Sequence, residues 1–303
     1  MLRLFFYFSP SFLRVDESSA CAQGMLVAFE NALRATNYKR EDERIMHSDS
    51  VVIAQEACIG CGNCSKVCVT NRIFVSGGKA KLKSSTCLEC GHCYAVCPAE
   101  AISMPWYDTA DCRQLGSMES LDSAQLLLGM KSRRSMRHFQ DKAVEPEKLA
   151  QIIEAGRYAP TARNAQEGSY IILQERLAQA EETVVSLTRK LQRFLGIFSR
   201  TIRDQELDDH FFFKGAPLAI LVLGKQEVDA ALASSYMELM AESLGLGVLY
   251  SGFFVLALKR SRKLRKIVGM ERGDKIVTCM VLGYPGVNYK RIAPRKKPRL
   301  KER

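Results

Sequence analysis

The chain has 303 residues, room for about two domains, and its 47% apolar content can fill a sizeable core. Its formal charge of +11 is unevenly placed: between Lys290 and Arg303 eight cations face Glu302 alone. Such a run reads as a solvated terminus that can also clamp a phosphate or draw in an acidic partner. No helix-turn-helix or aromatic-basic platform accompanies it, which argues against a regulator acting on nucleic acid.

Residues 1–49 are expected to be an extension without a fold of its own. Leu4–Phe8 and Phe12-Leu13 are apolar, but Pro10 breaks the run and it is far too short to span a bilayer. Ala20-Cys21-Ala22 has the small residues of a signal-peptidase site, yet Asp16 and Glu17 precede it. Residues 24–45 read as one loose helix ending in the charged Lys39–Arg44, and the working protein is expected to begin near Met46. Ser50–Ile53 reads as a strand leading into a cysteine-rich stretch.

From Cys58 to Pro98 the spacing C-x2-C-x2-C-x3-C occurs twice, at Cys58, Cys61, Cys64, Cys68 and at Cys87, Cys90, Cys93, Cys97. Three thiolates on one tight loop can each take an iron on one face of a cubane, and glycines 60, 62 and 91 let the backbone pack close. The fourth Cys lies too far round to close on the same cluster and crosses to the other. Cys58, Cys61, Cys64 and Cys97 are therefore assigned to one [4Fe–4S] cluster, and Cys87, Cys90, Cys93 and Cys68 to a second. Structural zinc usually takes two separated pairs, which this crowding suits poorly; a disulfide framework is possible on count alone. The stretch resembles the two-cluster bacterial ferredoxins, departing from them at Val69, where a proline is usual. His92 reads as solvent-facing, because the thiolates already complete the site. Thiolate ligands imply a reducing compartment, so the cytoplasm is the expected location. Cys21, Cys112 and Cys279 read as ordinary buried thiols.

Within this ferredoxin-like domain, residues 50–104, Arg72–Val75 and Lys79–Leu82 read as a hairpin around a glycine turn, and Ala101–Met104 as a short returning strand. Residues 105–121 are polar and mixed, and read as the connector. Asp122 then caps a helix through Leu128, followed by the basic run Arg133-Arg134-Ser135-Met136-Arg137, whose guanidinium forks and hydroxyl suit a dianionic phosphate. Glu145-Pro146-Glu147 opens a helix striped by Leu149, Ile152 and Ile153, stopping near Tyr158. Strands are expected at 169–173, 216–223 and 275–282, and an amphipathic helix at 175–198. Residues 227–244 are small and apolar almost all round, which reads as a helix fully buried in a core or between subunits. A further helix is expected over roughly 256–267.

Arg-Arg-Ser-x-Arg, then Ala-Pro-Thr-Ala-x-Asn, then Gly-Leu-Gly before a strand, then Leu-Gly-Tyr-Pro and a basic tail resemble, in that order, the nitroreductase family over about residues 122–298; residues 299–303 remain as tail. With the cysteine repeat, the chain resembles the ferredoxin–nitroreductase fusions of anaerobic bacteria. The resemblance implies an α+β fold with a central, mainly antiparallel sheet flanked by helices, a homodimer, and one FMN per subunit at the dimer interface. It also implies that Arg133, Arg134, Ser135 and Arg137 hold the FMN phosphate, with Arg295 or Lys296 returning to it. Thr161 and Asn164 would lie along the ring, and Tyr250, Ser251 and Gly252 would contact it. Glu167-Gly168 departs from the family's Pro-aromatic pair on the substrate side.

The expected activity is a flavin-dependent oxidoreductase in which two clusters feed single electrons to FMN, which reduces a small electrophile such as a nitroaromatic or quinone. An electron carrier relaying to a protein partner is the alternative. No side-chain acid or base stands out, so no catalytic residue is named. Gly245-Leu-Gly247 follows a helix and lacks a third glycine, so no dedicated nicotinamide motif is present and a ferredoxin or flavodoxin is the expected donor.

Overall fold

The computed structural model describes residues 51–110, 112, 114, 115, 121–195, 204 and 206–302, so the readings made on residues 1–50 lie outside it. The chain divides into two compact units, Met1–Arg113 and Gln114–Arg303.

In the first unit, β1 (Val52–Ile53) pairs antiparallel with β4 (Ile102–Ser103), joining the two ends of the cysteine stretch. Between them, α1 (Asn63–Val67) and α2 (His92–Ala95) follow the two Cys-rich loops. β2 (Ile73–Ser76) and β3 (Lys79–Leu82) form a hairpin in register Ser76↔Lys79. Its two-residue turn, Gly77-Gly78, has positive φ at both positions (61° and 73°), the backbone that matches strand twist in tight hairpins. Gly60 also has positive φ (68°), and a Cβ there would lie 2.0 Å from the Gly78 carbonyl oxygen, so the first Cys loop is pressed against the hairpin turn. The small core combines Val51, Ile73, Ala80, Ala101, Ile102 and Met104 with Cys58 and Cys64.

The second unit is an antiparallel four-stranded sheet between two helical layers. The strand order is β5 (Ser169–Leu173), β6 (Leu218–Leu223), β8 (Ile276–Gly283), β7 (Gly247–Tyr250), every neighbouring pair antiparallel. All six residues of β6 are buried, which explains its unbroken apolar run. Its odd-numbered residues face α5 (Leu177–Leu195), α7 (Gly252–Arg260) and α8 (Arg262–Ile267). Its even-numbered residues face α4 (Pro146–Arg157) and α6 (Glu227–Ser243). This is an α+β fold with a central antiparallel sheet flanked by helices.

Two readings need correction. The helix capped by Asp122, α3 (Ser123–Ser132), runs four residues past Leu128, so the basic run begins at its end. The single helix expected over 256–267 is two, because the Ser261 hydroxyl accepts the Leu264 N–H and starts a new helix. On α6, expected to be buried in a core or between subunits, one copy covers one side alone. Ala230, Ala233, Ser234, Met237, Glu238 and Ala241 are covered, whereas Val228, Leu232 and Tyr236 on the opposite side are 70%, 39% and 43% exposed. Among the scattered cysteines, Cys279 is buried in the sheet, but Cys112 is exposed in the connector; Cys21 lies outside the described residues.

Candidate functional site

The hairpin and the β1–β4 pairing fold the cysteine stretch around two cavities. Cys58, Cys61, Cys64 and Cys97 line the first, and Cys68, Cys87, Cys90 and Cys93 the second. Each cavity thus takes three sulfurs from one repeat and one from the other. Among the described residues no three His, Cys, Asp or Glu converge closely enough to hold a single metal ion. The sulfurs ring a space instead of meeting at a point.

Backbone N–H groups donate to these sulfurs: Ala80 to Cys58 at 3.3 Å, Ala101 to Cys97 at 3.3 Å, Arg72 to Cys68 at 3.2 Å and Glu89 to Cys87 at 3.4 Å. Donation from Ala80 and Gly60 lowers the Cys58 thiol pKa. At Cys68 burial pulls the other way, but the Thr70 hydroxyl and neighbouring N–H groups outweigh it and the net shift is downward. Burial raises Cys64, and pushes Cys93 up to about 11. A ligand thiol must lose its proton, so these donors favour the bound form. His92 is exposed, with Nδ1 3.4 Å from Cys90 Sγ.

In the second unit the segment from Arg133 to Phe139 crosses beside β7 and the start of the tail. Ser135 bridges Val248, Met136 N–H donates to the Val248 carbonyl, and Gly286 N–H donates to the His138 carbonyl. The crossing needs a glycine at 247, where a Cβ would lie 2.8 Å from that of Met136. Arg133 is drawn inward to a 2.6 Å ion pair with Glu238 on α6. The Tyr250 hydroxyl donates to the Ser234 carbonyl at 3.0 Å and approaches the other Glu238 oxygen at 3.4 Å. Burial, and then the Glu238 charge, raise the Tyr250 phenol well above its ordinary pKa. Arg134, half-buried, and Arg137, exposed, continue the same segment, while Ser251 is buried and Gly252 opens α7.

Thr161 and Asn164 lie elsewhere along α6. The loop holding them is tied to its first turn by donation from Ala162 N–H to Asp229 Oδ2 at 3.0 Å. Asp229 and Glu238 are nine residues apart, about 14 Å of helix. The loop carries three non-glycine residues at positive φ, Arg163 (55°), Asn164 (56°) and Gln166 (49°), a concentration of backbone strain. Beside it is a cavity of about 330 Å³ lined by Gly156, Thr161, Glu167, Tyr170, Lys225 and Asp229 among others. Glu167 is ion-paired to Lys225 at 3.2 Å on that wall. Arg295 and Lys296 lie exposed on the extended tail.

Sequence reasoning missed Glu238, although a single carboxylate on the covered side of a helix of small residues signals a buried partner. It also missed Glu145, whose carboxylate accepts the Tyr284 hydroxyl at 2.6 Å while Lys148 donates to that hydroxyl at 2.8 Å.

Residues 130–284 match the nitroreductase family, and residues 50–98 match the 4Fe-4S dicluster domain. A protein of Methanothermobacter thermautotrophicus, provisionally named NADH dehydrogenase/NAD(P)H nitroreductase, is 24% identical over 57% of this chain and 82% of its own length. Iodotyrosine deiodinase from Hydra vulgaris is 22% identical over 58% of this chain and 71% of its own. A nitroreductase with bound FMN from Bacteroides fragilis shares the fold, with a TM-score of 0.50 and 22% identity over 59% of this chain and 99% of its own. No helix among the described residues is long and apolar enough to cross a membrane.

Proposed function

Because the chain belongs to the nitroreductase family and carries a 4Fe-4S dicluster domain ahead of it, we propose that it gathers single electrons through two [4Fe–4S] clusters and spends them in pairs on a small electrophile, such as a nitroaromatic or quinone. The observation that carries the proposal is the pairing of two cysteine quartets, each around its own cavity, with a nitroreductase-family unit on one chain. Bound FMN would supply two-electron storage and hydride chemistry, which iron–sulfur centres lack.

The chain's own residues fit that cofactor. Arg134, Ser135 and Arg137 offer a cationic, hydrogen-bonding segment for its phosphate, with Arg133 anchored at the segment's head by Glu238. Arg295 or Lys296 would add a cation from the tail. Tyr250, Ser251 and Gly252 would present the end of β7 to the ring, and the strained Thr161–Gln166 loop supports a role for Thr161 and Asn164 beside it. The 330 Å³ cavity lies in the range of small-molecule sites and favours an enzyme over a relay to a protein partner. Exposed Val228, Leu232 and Tyr236 on one side of α6 support a homodimer, with a second copy covering them. The donor we infer is a ferredoxin or flavodoxin, and the location the cytoplasm.

The test is anaerobic purification followed by a visible spectrum, iron and sulfide assay and flavin extraction. The proposal expects two four-iron clusters and one FMN per chain; a colourless protein, or one holding zinc and no flavin, overturns it. Turnover with NADPH alone at the rate seen with reduced ferredoxin would remove the donor assignment.

A further inference from the structure

We propose that the centre held by Cys68, Cys87, Cys90 and Cys93 is the better electron acceptor of the two, so that an electron arriving at the Cys58, Cys61, Cys64 and Cys97 centre passes on to it. The inference rests on the two-cluster proposal and concerns what this chain's side chains do to each site.

The two cavities differ in chemistry. Apart from its cysteines, the first is walled only by glycine and apolar residues: Ile53, Ile59, Ala80, Ala99, Ala101 and Ile102 with Gly60 and Gly62. The second includes Thr70, Arg72 and His92 in its wall. Reduction adds negative charge to a thiolate-ligated centre, so hydrogen-bond donors and cations around the sulfurs favour the reduced form.

Among the described residues, the backbone donors at 3.2–3.4 Å from a sulfur number two at each site, Ala80 and Ala101 at the first and Arg72 and Glu89 at the second. Side chains decide the difference. The Thr70 hydroxyl lies 3.6 Å from Cys68 Sγ and His92 Nδ1 lies 3.4 Å from Cys90 Sγ. A thiolate ligand can only accept, so at both contacts the proton belongs to the neighbour. Arg72 is one of the residues of the second cavity's wall, and its guanidinium donates to the Ser85 carbonyl. At the first site the corresponding cation is Lys79, whose ammonium is held at the Cys58 carbonyl at 2.7 Å and not on the wall. Each site thus has one cation beside it, Lys79 at the first and Arg72 at the second. The surplus at the second site is then one hydroxyl and one imidazole, against which stands the carboxylate of Glu89, on the same loop but off the wall.

Potentiometric titration of the anaerobic holoprotein, followed by electron paramagnetic resonance, tests this directly. Two one-electron transitions are expected at separate potentials. Thr70→Val, close in volume but without the hydroxyl, should lower the higher potential and leave the other unmoved, as should His92→Ala; Thr70→Ser should leave both in place. Iron content reports whether each variant still assembles. Coincident transitions, or a Thr70→Val shift confined to the lower-potential centre, overturn the inference. A protein with fewer than two clusters would instead overturn the two-cluster proposal beneath it.

Discussion

At the scale of single residues, Glu238 joins the distant Arg133 segment to the end of β7, 12 residues beyond it. Its carboxylate meets Arg133 from the basic segment and Tyr250 from the end of β7, with side-chain exposures of 24% and 11% for the ion pair. Removing one partner leaves the other's charge poorly solvated. Glu238→Ala should therefore cost roughly 2 kcal/mol, between the values for surface and fully buried pairs, read by urea denaturation of the full chain. It should also loosen FMN more than riboflavin, which has no phosphate for the basic segment to hold. The crossed quartets give a second residue-level prediction. Cys58→Ser and Cys97→Ser should each remove about half the iron, and the double variant no more than either alone, because both sulfurs serve one cavity. Cys68→Ser combined with Cys97→Ser should remove nearly all of it. Iron assay on anaerobically purified variants decides between these outcomes.

At the scale of elements, the corner after β8 shows how a motif residue can be structural. Tyr284 donates to Glu145 and accepts from Lys148 at the start of α4, with the Lys142 ammonium 3.8 Å from its ring centroid. Donation from Tyr284 is the main cause that lowers the Glu145 carboxyl from its ordinary 4.5. A lowered folded-state pKa gives stability that is present above the ordinary value and lost as pH falls through the lowered one. The stability difference between the natural chain and Tyr284→Phe should shrink below about pH 4.5, measured by thermal unfolding across pH. Many elements could be read from sequence: β5, β6 and β8 from their apolar runs, α4 from Pro146, and the hairpin from Gly77-Gly78. The break at Ser261 was hidden because Leu256, Leu258, Leu264 and Ile267 keep an apolar pattern across it, and only one serine marks the new start. The half-exposure of α6 was hidden for a different reason: small residues look alike on both sides of a helix, and only packing against the sheet decides which side is covered. The grouping of the cysteines around two cavities was legible from their repeated spacing; Glu238 and Glu145 were not, because Arg133 and Tyr284 lie more than a hundred residues from them.

At the scale of the whole molecule, Val228, Leu232 and Tyr236 rise one above another along α6 at four-residue intervals and face outward. Leu232→Glu together with Tyr236→Glu should halve the mass measured by light scattering and release flavin while leaving the cysteine sites loaded. Full flavin retention in a monomer would place the cofactor within one copy. The separation of Thr161 and Asn164 from the Arg133–Tyr250 group along α6 points the same way, since one chain presents its ring-side candidates at two stations of the same helix.

The exchange of one sulfur between the repeats makes the small unit an interlocked pair rather than two modules in series. Neither half can be severed and kept as a one-centre protein, since each would leave with three ligands for its own site and one for a site it no longer has.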